Sequence, residues 1–133
     1  MNITTVFNWV LRVVAALIML QTLFFKFSAS EESVYIFSTI GIEPWGRIAT
    51  GVMELIASLL LLYPRTTVFG ALLGAGIMGG AIVSHLTILG TEVKGDGGLL
   101  FTYAVIVMVA CLLLLYFNRR TIQELISKMQ AKQ

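Results

Sequence analysis

The sequence predicts an all-α integral membrane protein, a four-transmembrane-helix bundle that forms a single membrane domain over residues 1–133. Composition is the first observation, because 58% of the residues are hydrophobic and 12% are charged, against about 45–50% and about 25% in soluble domains. The second is four apolar stretches at about 5–27, 46–63, 67–89 and 99–117, each long enough to cross a bilayer. A water-soluble fold of 133 residues could not bury that much apolar surface.

Net charge and cysteine content exclude several classes of function. The formal charge is +2 and the basic residues form no continuous patch, so the chain is not expected to bind nucleic acid. Its single cysteine, Cys111, cannot build a disulfide framework, a CxxC redox pair or a thiolate metal site within one chain.

The first span is read as a transmembrane helix rather than a signal peptide, because no basic residue precedes it and Arg12 lies within it. A polar connection follows, in which Ser30 resembles a helix N-cap with two acidic residues in the first turn. This segment predicts a short helix at the extracytoplasmic membrane surface, ended by Gly41. Pro44 suits the first turn of the second span.

The second and third spans are joined by a very short link at Pro64, which predicts an antiparallel hairpin. The third span is rich in glycine and contains the GxxxG step of Gly70 and Gly74. Small residues let helices approach closely in lipid, which is the favoured interpretation; a slot for a flat ligand is the alternative.

The tail, at 119–133, has an amphipathic helical pattern and is expected to lie along an anionic membrane surface. Basic residues concentrate at one end of the predicted bundle: Arg65, Arg119, Arg120, Lys128 and Lys132. The positive-inside rule therefore predicts that both termini are cytoplasmic.

Five polar side chains within the spans are candidate site residues: Arg12, Gln21, Lys26, Glu54 and His85. An ionisable group at membrane depth is by default a functional candidate. Depth estimated from helical rise favours an Arg12–Glu54 ion pair, with Lys26 extending to the outer interface. Gln21 and His85 would continue a polar line to the outer face, suited to ligand binding or proton relay. Glu54 and His85 alone provide too few ligands for a metal, and no metal site is expected.

The order of several short motifs resembles the DoxX-like family of small four-helix bacterial membrane proteins. The motifs are Arg12, Phe25-Lys26-Phe27, Gly41-Ile42-Glu43-Pro44, Gly51-x-x-Glu54-Leu55 and Ala81-x-x-x-His85. The resemblance runs from Arg12 to about Phe117; the glycine usual before the Phe-Lys position is replaced by Leu23-Phe24. It implies a bacterial inner-membrane bundle and, in some relatives, association with a quinone-linked oxidoreductase. It also implies that Arg12, Lys26, Glu54 and His85 would form the polar site.

Three functions follow from these observations. The first is a quinone- or lipid-interacting subunit of a membrane oxidoreductase system, with quinone as a possible cofactor and a redox partner supplying electrons. The second is a small proton-coupled transporter, which would need a homo-oligomer. The third is a structural or assembly factor in which a buried Arg–Glu pair holds the bundle together. No redox-active residue or cofactor motif is visible, so catalysis by the chain itself stays undecided.

Overall fold

The computed structural model describes residues 2–132; Met1 and Gln133, which fall within the predicted domain and tail, lie outside them. The helices over this range are α1 (Ile3–Phe27), α2 (Glu31–Ile40), α3 (Trp45–Leu62), α4 (Thr67–Ser84), α5 (Leu99–Phe117) and α6 (Arg119–Ala131). A 3₁₀ turn, Pro64–Thr66, precedes α4, and a π-helical turn, His85–Leu89, extends it. The described residues form no β-strand.

Four of these segments are long and apolar enough to cross a membrane: Ile3–Phe27, Trp45–Leu62, Pro64–Leu89 and Leu99–Phe117. The predicted four-span bundle is therefore confirmed, with boundaries within a few residues of the predicted ones. The π-helical turn was not predicted. It changes the helical phase at the end of the third span, where His85 begins the turn.

Local chemistry sets the ends of α2 as predicted. The Ser30 side chain accepts a hydrogen bond from the Ser33 N–H, and Glu31 and Glu32 occupy the first turn. Gly41 ends the helix with a φ of 94°, a left-handed conformation that glycine adopts without steric cost. Pro44 then stands at the N-cap of α3.

The four spans form a ring in which α1 and α4 each pack against both α3 and α5. The ring has two ends. One holds the start of α1, the Pro64–Thr66 turn and the start of α6, and we call the half of the bundle next to it the terminal half. The opposite half, next to α2 and the loop at residues 90–98, is called the cavity half.

The terminal half is closely packed through small residues. A Cβ built on Gly70 would lie 2.6 Å from the Leu61 nitrogen, and one built on Gly74 would lie 2.9 Å from the Cys111 sulfur. Ala57 and Ala71 beside them are fully buried. The packing role predicted for the GxxxG step is therefore confirmed.

Helix α6 contributes no buried residue, and its apolar side chains Ile126 and Met129 are exposed. Its placement along a membrane surface stays a prediction.

Candidate functional site

A buried ion pair joins α1 to α3 in the middle of the bundle. The Lys26 Nζ lies 2.8 Å from Glu54 Oε1, and the Thr22 hydroxyl lies 2.8 Å from Glu54 Oε2. The same hydroxyl is also 2.8 Å from the Met19 carbonyl, so its one proton is shared between two acceptors. Glu54 is only 2% exposed. Both carboxylate oxygens are thus engaged by one face of α1.

The predicted Arg12–Glu54 pair is wrong. Arg12 is buried but lies in the terminal half, where its guanidinium donates to the Leu61 and Leu62 carbonyls at 2.5 and 2.8 Å. The guanidinium also stacks on the Trp9 ring at 3.6 Å. Carbonyls at a helix C-terminus lack intrahelical partners and carry partial negative charge, so they attract a cation.

The direction of side chains explains why the pairing differs from the depth estimate. Helical side chains tilt toward the N-terminus of their own helix. The side chain of Lys26 therefore leans toward Thr22 and the level of Glu54, whereas that of Arg12 leans away from Glu54. The prediction that Lys26 extends to the outer interface is also wrong, because its side chain is only 15% exposed.

Two residues of this region were missed by the sequence reasoning. Thr22 lies four residues before Lys26 and therefore on the same helix face, a spacing that would have identified it. Arg47 stands near the start of the second span, a position that suggests the membrane interface, but its side chain is buried. It donates to the Glu43 carboxylate at 2.8 Å and to the Lys26 carbonyl.

His85 is buried on the π-helical turn, with its ring edge-on to Phe101 at 5.6 Å between centroids. Its Nδ1 lies 3.0 Å from the Gly90 carbonyl. A carbonyl can only accept, so Nδ1 is the nitrogen that carries the proton in this contact. The ring is thereby fixed to the end of its own helix, and Nε2 is left for another partner.

A cavity of about 580 Å³ occupies the cavity half and connects these groups. Gln21, Lys26, Glu54 and His85 all line it, whereas Arg12 does not. Its remaining walls are largely apolar, and side chains of α2 close one side of it. A volume of this size is typical of small-molecule sites, which combine apolar walls with a few polar groups.

Part of the cavity wall is formed by glycines of α4. Gly76 and Gly80 are one helical turn apart and both line the cavity. A Cβ built on either would meet nothing within 4 Å. These two glycines therefore differ from Gly70 and Gly74, since they leave open space instead of making close contact.

The loop at residues 90–98 lies at the α2 end of the bundle, and its residue Asp96 lines the cavity. The Asp96 carboxylate accepts hydrogen bonds from the N–H groups of Val93, Gly98 and Leu100. Burial alone would raise the pKa of Asp96, but these backbone donors outweigh it and the pKa lies below its ordinary value. Val93 is almost fully buried, so the loop is anchored to the bundle.

No group of three or more His, Cys, Asp or Glu side chains among the described residues is arranged to hold a metal ion.

A family model described as the DoxX-like family matches residues 10–116, which is most of the chain. No curated protein and no solved structure matches the sequence.

Proposed function

The chain belongs to the DoxX-like family of membrane proteins, and we propose that it binds the polar head of a quinone or lipid in the cavity half, as a subunit of a membrane oxidoreductase system. The observation that carries the proposal is the cavity of about 580 Å³ with an ion pair at one side and His85 at another. An amphiphile needs this combination of apolar walls and a few polar groups.

The chemistry of the lining groups fits a quinone head. Quinone carbonyls accept hydrogen bonds, and the Lys26 ammonium has three donors, of which one meets Glu54 and a second meets the Thr22 hydroxyl. The third donor is left for a ligand. Reduction of a quinone to a quinol takes up two electrons and two protons. Glu54 and His85 line the cavity as groups able to exchange protons. The electrons would come from a partner oxidoreductase, because the chain has only one cysteine and it is buried.

The proton-coupled transporter is less well supported by the arrangement of the bundle. Transport would require Glu54 to exchange with both sides of the membrane. The close contacts at Gly70 and Gly74 lie on the terminal side of the cavity and leave no comparable space there.

We further propose that the protein resides in a bacterial inner membrane with both termini in the cytoplasm. Arg65 and the α6 basic residues lie at the same end of the bundle, as the positive-inside rule requires.

Mass spectrometry of the purified protein tests ligand binding. We expect a co-purified quinone or other neutral amphiphile, and a rise in melting temperature when decylubiquinone is added. The proposal fails if no amphiphile is found and decylubiquinone leaves the melting temperature unchanged.

Two neighbouring glycines provide a matched pair of variants for the same experiment. Gly80→Leu places a side chain in the cavity, whereas Gly79→Leu faces Met108 of α5, which lies 4.0 Å from a Cβ built there. Both changes alter helix propensity equally. We expect Gly80→Leu to abolish ligand retention and Gly79→Leu to preserve it. Equal retention by both would show that the ligand lies elsewhere.

A further inference from the structure

The hydrogen-bonding state of His85 restricts which ligand the cavity can accept. Nδ1 must donate to the Gly90 carbonyl, so in the neutral imidazole Nε2 has no proton and is an acceptor. Nε2 makes no hydrogen bond to any described residue. No fully buried polar side-chain atom among these residues lacks a partner, so Nε2 is not fully enclosed by protein. The His85 ring lines the cavity, and the cavity is therefore the space in which a partner for Nε2 is expected.

The charges around the cavity restrict the ligand further. Lys26 and Glu54 neutralise each other at 2.8 Å. The other charged residues of the lining, Glu32 and Asp96, are both acidic. No unpaired cation faces the cavity among the described residues, so an anionic head group such as a carboxylate or phosphate would meet like charge.

We propose that the cavity selects an uncharged amphiphile whose head carries a hydroxyl that donates to His85 Nε2, the chemistry of a phenol or hydroquinone. The inference rests on the proposed function and names the ligand class of the same site. A quinone carbonyl cannot donate, so at this position the hydroquinone form binds more tightly than the quinone. The cavity would therefore favour the reduced member of the couple.

Binding of two matched probes tests the inference. Decylphenol and its methyl ether, decylanisole, differ in the hydroxyl donor and share the ring and the alkyl chain. One hydrogen bond contributes about 0.5–1.5 kcal/mol, so we expect decylphenol to bind about 2- to 13-fold more tightly to the detergent-solubilised full chain. Decanoate, which carries the anionic head, is expected to bind more weakly than either.

Two substitutions distinguish the proposed acceptor, His85 Nε2, from the contact that Nδ1 makes with the Gly90 carbonyl. His85→Asn keeps an amide N–H near the position of Nδ1 but removes the acceptor at Nε2. We expect it to bind decylphenol and decylanisole equally. His85→Gln places an amide oxygen near the Nε2 position and is expected to restore part of the preference.

The outcomes are distinct for the two proposals. If neither decylphenol nor decylanisole binds the unmodified protein and decylubiquinone does not bind either, the proposed function fails. If decylubiquinone binds and neither of the two probes does, the amphiphile site stands and the His85 inference is overturned. If both bind with equal affinity, or if decanoate binds best, the amphiphile site stands and the His85 inference is overturned. If His85→Asn is folded, judged by its melting temperature, and keeps the full preference for decylphenol, the acceptor is another group and the inference is also overturned.

Discussion

The two halves of the bundle are built from the same helices but use small residues in opposite ways. In the terminal half, Gly70 and Gly74 bring α4 against α3 and α5 with no spare volume. In the cavity half, Gly76 and Gly80 of the same helix face open space. A glycine-rich transmembrane helix thus combines a packing surface with a cavity wall, and only the neighbouring helices distinguish the two.

The polar groups differ in the same way. Arg12 in the terminal half bonds only to main-chain carbonyls and an aromatic ring, and it lines no cavity. Lys26, Glu54 and His85 border about 580 Å³ of space. Burial of an ionisable group in a membrane bundle therefore does not by itself indicate a ligand site, and access to the cavity is what distinguishes Lys26, Glu54 and His85 from Arg12.

The largest loss of stability is expected from adding one methyl group at Gly70. In Gly70→Ala the new Cβ would lie 2.6 Å from the Leu61 nitrogen, and backbone cannot move aside as a flexible side chain can. We expect a loss of about 3 kcal/mol in the free energy of unfolding, measured by denaturant titration in detergent micelles. Gly76→Ala is the control and should change it by no more than about 1 kcal/mol, in the stabilising direction. Similar values for the two variants would contradict the division into halves.

Arg12→Ala is expected to destabilise the terminal half without affecting ligand binding. It removes two charged hydrogen bonds to α3 carbonyls, a loss of about 2 kcal/mol in the free energy of unfolding. Arg12→Lys should lower the free energy of unfolding by less than Arg12→Ala, because lysine keeps the positive charge, although it lacks the planar guanidinium. The affinity for decylubiquinone of the folded variant serves as the second measurement, and a large fall in it would place Arg12 in the functional site.

Breaking the ion pair in the cavity half is expected to lower the free energy of unfolding by a smaller amount. Glu54→Gln leaves Lys26 without a counter-ion, but the side chain of Lys26 is 15% exposed and gains hydration through the cavity. We expect a loss of about 1 to 2 kcal/mol in the free energy of unfolding. Lys26→Glu combined with Glu54→Lys should recover part of this loss. A double-mutant cycle with no coupling energy would show that the pair does not contribute to stability.

The smallest loss of stability is expected at the loop of residues 90–98. Asp96→Ala removes an acceptor for three backbone N–H groups, and we expect a local loss of about 1 kcal/mol after screening by solvent. Hydrogen exchange at Val93, Gly98 and Leu100 should accelerate.

The same carboxylate predicts how the loop responds to pH. Because folding lowers the pKa of Asp96, its contribution is complete above the unfolded value of about 4 and is lost as the pH falls through the lower folded value. Protection factors at these amides that stay unchanged on acidification below pH 4 would contradict this account.

Most of the fold follows from the sequence because hydropathy and turn residues are local signals. Gly41 ends α2, and the predicted fourth span coincides with α5. Pairing across helices is different. Arg12 was predicted to reach Glu54 from depth alone, but the direction of side chains places Lys26 there instead. The cavity could not be predicted at all, since Gly74 and Gly76 are indistinguishable until α5 is seen beside one and empty space beside the other.

The two buried arginines have a mechanical consequence. Arg12 of α1 holds the last carbonyls of α3, and Arg47 of α3 holds the Lys26 carbonyl in the last turn of α1. Each helix thus binds the C-terminal end of its antiparallel neighbour, so sliding or splaying of the pair would break these hydrogen bonds. We therefore expect any widening of the cavity to come from the opposite wall, where α4 ends in a π-helical turn beside the loop at residues 90–98.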